Sequence, residues 1–121
     1  MGHFASVMKI DGHDNVTVYL SAEDTEILAI GDKMYAMQPE AYMNGYNWEA
    51  FMLYYCGKMD PDALKGISTD SEAGTFVAYY PLSAENEARA ARFAKLINDL
   101  IDDEERLFAL LKTDGHLVHW D

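Results

Sequence analysis

The chain is 121 residues long, one ordinary domain's worth. Half of its residues are hydrophobic, which marks a globular sequence and not a disordered acidic tail. Nine Lys and Arg stand against 21 Asp and Glu, a net charge of -12 at pH 7. That balance argues against nucleic-acid phosphates and anionic membranes as ligands, and favours a basic partner.

The first strand is expected over Ser6–Asp11, with Val7, Met8 and Ile10 apolar. Asp11-Gly12-His13-Asp14-Asn15 is a turn cluster. Val16–Leu20 then alternates as a second strand, so the two form an N-terminal hairpin. Ser21-Ala22-Glu23-Asp24 reads as a capping start led by Ser21. Ile27, Ile30, Met34 and Met37 follow at helical spacing, with Leu28 and Tyr35 widening the stripe. Gly31 weakens this helix by about 1 kcal/mol relative to Ala, and Pro39 ends it.

Asn44-Gly45 signals a turn, and Asn47 is a candidate cap for a helix from Trp48 towards Lys58. Phe51, Met52, Leu53, Tyr54 and Tyr55 make that helix apolar nearly all round, so it is expected to be central. Asp60-Pro61 opens a short helical turn that ends at Gly66. Ile67–Thr69 and Thr75–Tyr80 flank the loop Asp70–Gly74 as a second hairpin, which Pro81 stops. Ser83 caps a long helix with Phe93, Leu96, Ile97, Leu100 and Ile101 on one face. Continuing that stripe would bury Glu104, so a break is expected at Asp102-Asp103. Asp102 then caps a last helix carrying Leu107, Phe108, Leu110 and Leu111, with Glu105 as capping partner. His116–Trp120 is a short strand or an ordered tail. Hairpins separated by helices predict an α+β fold: an antiparallel sheet built from two hairpins and covered by helices, as one two-layer domain over residues 1–121.

The chain carries no GxGxxG, no GxxxxGK[ST] and no GxSxG. No carboxylate pair has a spacing that demands general acid–base work. His116 and His119 form the only histidine pair at a plausible ligand spacing, but on a strand they point to opposite faces, and structural zinc usually recruits cysteines. Ordinary surface histidines are the commoner reading, so neither metal nor cofactor is expected. Cys56 is the only cysteine and sits in an apolar run, which predicts a buried, inert thiol in a reducing compartment. The Met1-Gly2 start and Asn15-Val16-Thr17 match short modification patterns that often arise by chance. The N-terminus lacks a basic, apolar signal sequence, and no run approaches the roughly 20 apolar residues of a membrane span.

The acidic excess is even. Residues 1–60 hold nine acids and three bases, and residues 61–121 hold twelve and six, a net of -6 in each half. Asp102, Asp103, Glu104 and Glu105 are the one dense run. Acids in a helix's first turn complement its dipole, and the same run can serve as a docking patch for a basic partner. Six aromatics crowd into residues 42–55. Most suit a core, but Tyr42, Asn44 and Tyr46 precede the helix, where loop aromatics beside acids suit a protein interface.

Asn44-Gly45-Tyr46-Asn47-Trp48 before a helix, and Asp70-Ser71-Glu72-Ala73-Gly74-Thr75-Phe76 before a strand, resemble the two signatures of the immunity protein 51 family. The motifs span the central third of the chain. Its length and acidic helical C-terminus also fit. The family pattern often has Asp in place of Asn47, a mild change if the residue is a cap, and Pro in place of Ser71, which changes the turn. The resemblance implies a small cytoplasmic protein, encoded beside a bacterial polymorphic toxin, that neutralises it by binding rather than catalysis. A basic nuclease is the natural target class. Gly45, Trp48, Gly74 and Phe76 read as fold markers, with both glycines supplying positive φ. Tyr42, Asn44, Tyr46, Asp70, Glu72 and Asp102–Glu105 are the candidate contacts. The alternative is a small acidic scaffold, homodimeric through its aromatic loop and without a toxin partner. Monomer and homodimer both fit the sequence.

Overall fold

In the computed structural model, residues 4–9 and 12–121 are described; Ile10 and Asp11 of the expected first strand, His3 and the Met1-Gly2 pattern lie outside them. Along β2 (Asn15–Ser21), Val16, Val18 and Leu20 are buried while their neighbours are half-covered, as alternation on a one-sided sheet requires. β1 (Ala5–Lys9) pairs with it antiparallel, Val7 opposite Val18. β3 (Ser68–Thr69) and β4 (Thr75–Pro81) form the second hairpin, and β4 joins β2 antiparallel with Leu20 opposite Phe76. The sheet order is β1-β2-β4-β3. The fold is α+β, with the antiparallel sheet expected from the two hairpins.

The second hairpin is tighter than a five-residue loop. Asp70 N–H donates to Val77 O, and Glu72 and Thr75 exchange both backbone bonds, so only Ala73 and Gly74 turn the corner. Ser71 Oγ accepts from Val77 N–H at 3.0 Å and donates to Glu49 Oε1 at 2.7 Å. A proline there has no hydroxyl for either bond.

Four helices follow the expected order, with adjusted starts. α1 (Thr25–Met37) is capped by Asp24, whose Oδ1 accepts from Glu26 and Ile27 N–H; Ser21 instead closes β2. α2 (Gly45–Met59) is capped by Asn44, not Asn47: Asn44 Oδ1 accepts from Asn47 N–H at 2.9 Å. The cap lies three residues earlier because the helix also takes in Gly45 and Tyr46. A 3-10 turn, Pro61–Leu64, follows; Asp60 does not cap it with its side chain, which binds Arg92 instead. α3 (Ala84–Asp102) is capped by Ser83 as expected. α4 (Glu104–Asp114) is capped by Asp103, which accepts from Arg106 N–H; Asp102 is still the last turn of α3, so Glu105 has no capping-box role. His116–Trp120 is a 3-10 turn and an ordered tail, not a strand.

The helices cover one face of the sheet. Phe93, Ile97, Leu100 and Ile101 of α3 and Trp48, Phe51 and Met52 of α2 pack on Val16, Val18, Leu20, Phe76 and Tyr80. The Phe76 and Phe93 rings meet edge-to-face at 6.0 Å. Tyr80 O–H donates to Ala63 O at 2.6 Å, holding the 3-10 turn against β4, and burial pushes its pKa up. Cys56 is wholly buried, and burial pushes its thiol up to about 12, so the thiolate is negligible at neutral pH.

α2 is tied to α4 by one carboxylate. Asp114 Oδ2 accepts from Tyr54 O–H at 2.6 Å and from Lys58 Nζ at 2.9 Å. These donors hold its carboxyl down at about 2, below the ordinary 3.8. Because the folded value is lowered, the stabilisation is complete above about pH 5 and is lost progressively as pH falls through about 2. Thermal melts across that range test this: Asp114→Asn should sit below the parent by a constant margin at higher pH, and the margin should close in acid. A margin undiminished at about pH 2 would assign the difference to packing.

Candidate functional site

The two sequence signatures lie far apart in the chain and meet in space. Gly45 N–H donates to Ala73 O at 2.7 Å. A Cβ on Gly45 would stand 1.9 Å from Glu72 O and 2.5 Å from Thr75 O, both backbone atoms that cannot move aside. Gly45 is therefore required for close approach. Neither it nor Gly74 has a positive φ, contrary to the expectation above; among the described residues only Gly12 and Gly66 do. A Cβ on Gly74 would meet the Glu23 carboxylate first, at 2.9 Å.

Asn47, one turn into α2, is buried and turned to a different task from capping. Its Nδ2 donates to Tyr42 O at 2.8 Å and Glu40 O at 3.5 Å, and its Oδ1 accepts from Asp121 N–H at 2.7 Å. One side chain thus holds the loop before α2 and the C-terminal tail. Aspartate cannot donate to those carbonyls, so the difference from the family pattern is not the mild cap exchange it looked. Trp120 completes the tail's seat, stacking on Phe51 at 6.1 Å with its Nε1–H on Gly115 O. Trp48 and Phe76 are wholly buried, so these two markers are core residues.

Two clefts flank this junction. The first, about 360 Å³, lies between α1 and the Ala73–Gly74 turn; Leu28, Gly31, Asp32 and Tyr35 of α1, Tyr42, Met43 and Asn44 of the loop before α2, and Glu23 line it. Tyr42 is 65% exposed, and its ring meets that of Tyr35 edge-to-face at 5.8 Å. Gly31 lets α1 approach the loop closely: a Cβ there would stand 3.0 Å from Met43 Cβ. The second cleft, about 520 Å³, is bordered by Tyr46, Glu49, Leu53, Tyr54, His119, Trp120 and Asp121. Neither is lined by a lysine or arginine.

The candidate contacts therefore divide. Tyr42 and Asn44 border the first cleft and Tyr46 the second, while exposed Asp70 and Glu72 sit on the hairpin that α2 abuts. Asp102, Asp103, Glu104 and Glu105 are exposed at the α3–α4 corner. Lys33 Nζ binds Glu104 there at 3.2 Å. By helical geometry Lys33 projects from the flank of α1 away from Leu28, Asp32 and Tyr35, so the acidic run does not join the clefts. Leu28 and Tyr35 were expected to widen the buried stripe; they are 47% and 52% exposed instead. Together with Glu23 and Asp32 they are the site residues that the pattern missed. Helical spacing shows that a single-sided helix cannot bury Leu28 and Tyr35 along with Ile27, Ile30 and Met34, but not which of the five stay open.

Among the described residues, no group of three or more His, Cys, Asp or Glu is placed to hold a metal ion, and His116 and His119 are exposed. No helix among them is long and apolar enough to cross a membrane. A family model described as immunity protein 51 matches residues 7–116. No curated protein and no solved structure matches the chain significantly.

The junction's two locks make separate predictions. Gly45→Ala should cost about 3 kcal/mol and lower Tm by roughly 10 °C, because backbone must shift. Gly74→Ala should cost no more than about 1 kcal/mol, because only a flexible carboxylate is displaced. Equal melting points for the two would disprove the rigid seat. Asn47→Ala should cost about 2 kcal/mol in urea unfolding, with amide exchange rising first in residues 40–43 and the C-terminal tail.

Proposed function

Because the chain belongs to the immunity protein 51 family, we propose that it binds a cognate bacterial toxin domain directly and blocks it without catalysis. The family implies a toxin-neutralising role in general and is generally non-enzymatic. What supports a binding mechanism here is one juxtaposition: exposed Tyr42 and Tyr46 stand on either side of the rigid Gly45–Ala73 junction, among carboxylates, with no lysine or arginine lining either cleft.

Rigid aromatic anchors lose little entropy on binding, and Tyr is enriched where interface energy concentrates. Asn44 and Asn47 hold the backbone beneath the two tyrosines, so the face is organised before a partner arrives. Asp70 and Glu72 rim it and are in no ion pair among the described residues. The partner that fits is basic, and a nuclease domain is the toxin class whose own substrate demands such a surface. Covering its active site or nucleic-acid groove inhibits it. Asp102–Glu105, away from this face, act at long range in the same reading: as part of a chain with a net charge of -12, they raise the encounter rate with a basic toxin. The site of action is the cytoplasm of the toxin-producing cell.

Co-expression with the toxin encoded beside this gene tests the reading. Cells should survive only with the immunity chain, and the purified pair should associate faster at low salt. Tyr42→Ala and Tyr46→Ala should each weaken the complex by about tenfold or more, while far-UV spectra stay unchanged. Continued killing together with no association of the purified pair would overturn it. A stable homodimer that hides Tyr42 and Tyr46 would favour the scaffold alternative.

A further inference from the structure

We propose that the cleft between α1 and the Ala73–Gly74 turn is a seat for one cationic side chain, an arginine in the first instance, presented by the basic partner. This deepens the function proposed above and rests on it for the identity of the partner, though not for the chemistry of the seat.

The walls carry the argument. Leu28 and the Tyr35–Tyr42 pair supply apolar and aromatic surface that the fold leaves uncovered. Edge-to-face pairing leaves ring faces uncovered, and a planar guanidinium stacks on such faces while its alkyl stem lies along apolar carbon. Two carboxylates, Glu23 and Asp32, line the same cleft and are in no ion pair among the described residues. The nearest lysine in sequence, Lys33, is turned to Glu104 and the Phe108 ring on the far flank of α1. The cleft thus offers aromatic faces, an apolar groove and two acceptors, with no positive charge lining it. An acidic side chain would meet like charge there, and a purely apolar one would leave the carboxylates desolvated without partners. Gly31 lets α1 lie close against Met43, which a Cβ there would crowd at 3.0 Å, so the two walls are packed together at this point.

The test uses the full chain and needs no toxin. The ¹⁵N-labelled protein is titrated at low ionic strength with an end-blocked Gly-Arg-Gly tripeptide, and with the same peptide carrying citrulline, which keeps the shape and removes the charge. Saturable shifts are expected for the arginine peptide at the amides of Gly31, Asp32, Met43 and Gly74. Affinity should be about tenfold lower for citrulline, for Asp32→Asn and for Tyr42→Ala. Glu26→Gln removes the same charge from the opposite flank of α1 and should bind like the parent. Equal binding of the two peptides, equal effects of Asp32→Asn and Glu26→Gln, or no saturable shift at those amides would overturn the seat. The toxin reading is separable: protection of cells by an Asp32→Asn chain whose complex is undiminished leaves that reading intact and rejects the seat, whereas selective arginine binding by a chain without a toxin keeps the seat and rejects the partner.

Discussion

The contact between Gly45 and the Ala73–Gly74 turn is the constraint on which the functional face depends. It is a backbone-to-backbone approach with a 2.7 Å hydrogen bond and no room for a methyl group. It fixes where α2 begins, because Asn44 must cap at that point for Gly45 to reach the hairpin. It thereby fixes Tyr42 before the helix and Tyr46 within its first turn, on either side of the join. The signature glycine is thus explained by steric exclusion and not by a special dihedral angle.

Asn47 extends the same arrangement inwards. A buried amide costs free energy unless its donors and acceptor are used, and here they serve three backbone groups in two segments. Loop 40–42 and the C-terminal residue are thereby joined through one side chain to the start of α2. With Trp120 stacked on Phe51, the tail closes over the central helix and forms a wall of the second cleft. Both clefts are by-products of these locks, and a surface held this way loses little entropy on binding.

The charge reads differently once each carboxylate has a place. Asp24 and Asp103 cap helices, Asp60 and Asp62 hold Arg92, and Asp114 joins α2 to α4. The ion pairs gather largely on α3, α4 and the 3-10 turn, while Glu23, Asp32, Asp70 and Glu72 are left to solvent around the aromatic face. An even distribution along the chain has become an uneven one in space. The dense Asp102–Glu105 run, the most conspicuous feature of the sequence, marks a helix junction and belongs to no cleft.

Local order was legible wherever it depends on close neighbours. The alternation of Val16–Leu20, the stripe from Phe93 to Ile101, the Ser83 cap and the stop at Pro39 all follow from side chains a few residues apart, and with them the α+β class. The same pattern put caps at Ser21, Asn47 and Asp102, three residues or one away from Asp24, Asn44 and Asp103, because several polar residues beside each helix start have nearly equal local merit. What neighbours could not specify was any role that depends on a distant partner. Gly45 meets Ala73, 28 positions on, and Asn47 meets Asp121, 74 positions on. Leu28 and Tyr35 have the composition of core and the position of surface, since α1 turns only its Ile27, Ile30 and Met34 side inwards. Periodicity says that a helix has an apolar face; only packing against the hairpin and the α2 loop decides which part of that face is left open to meet another molecule.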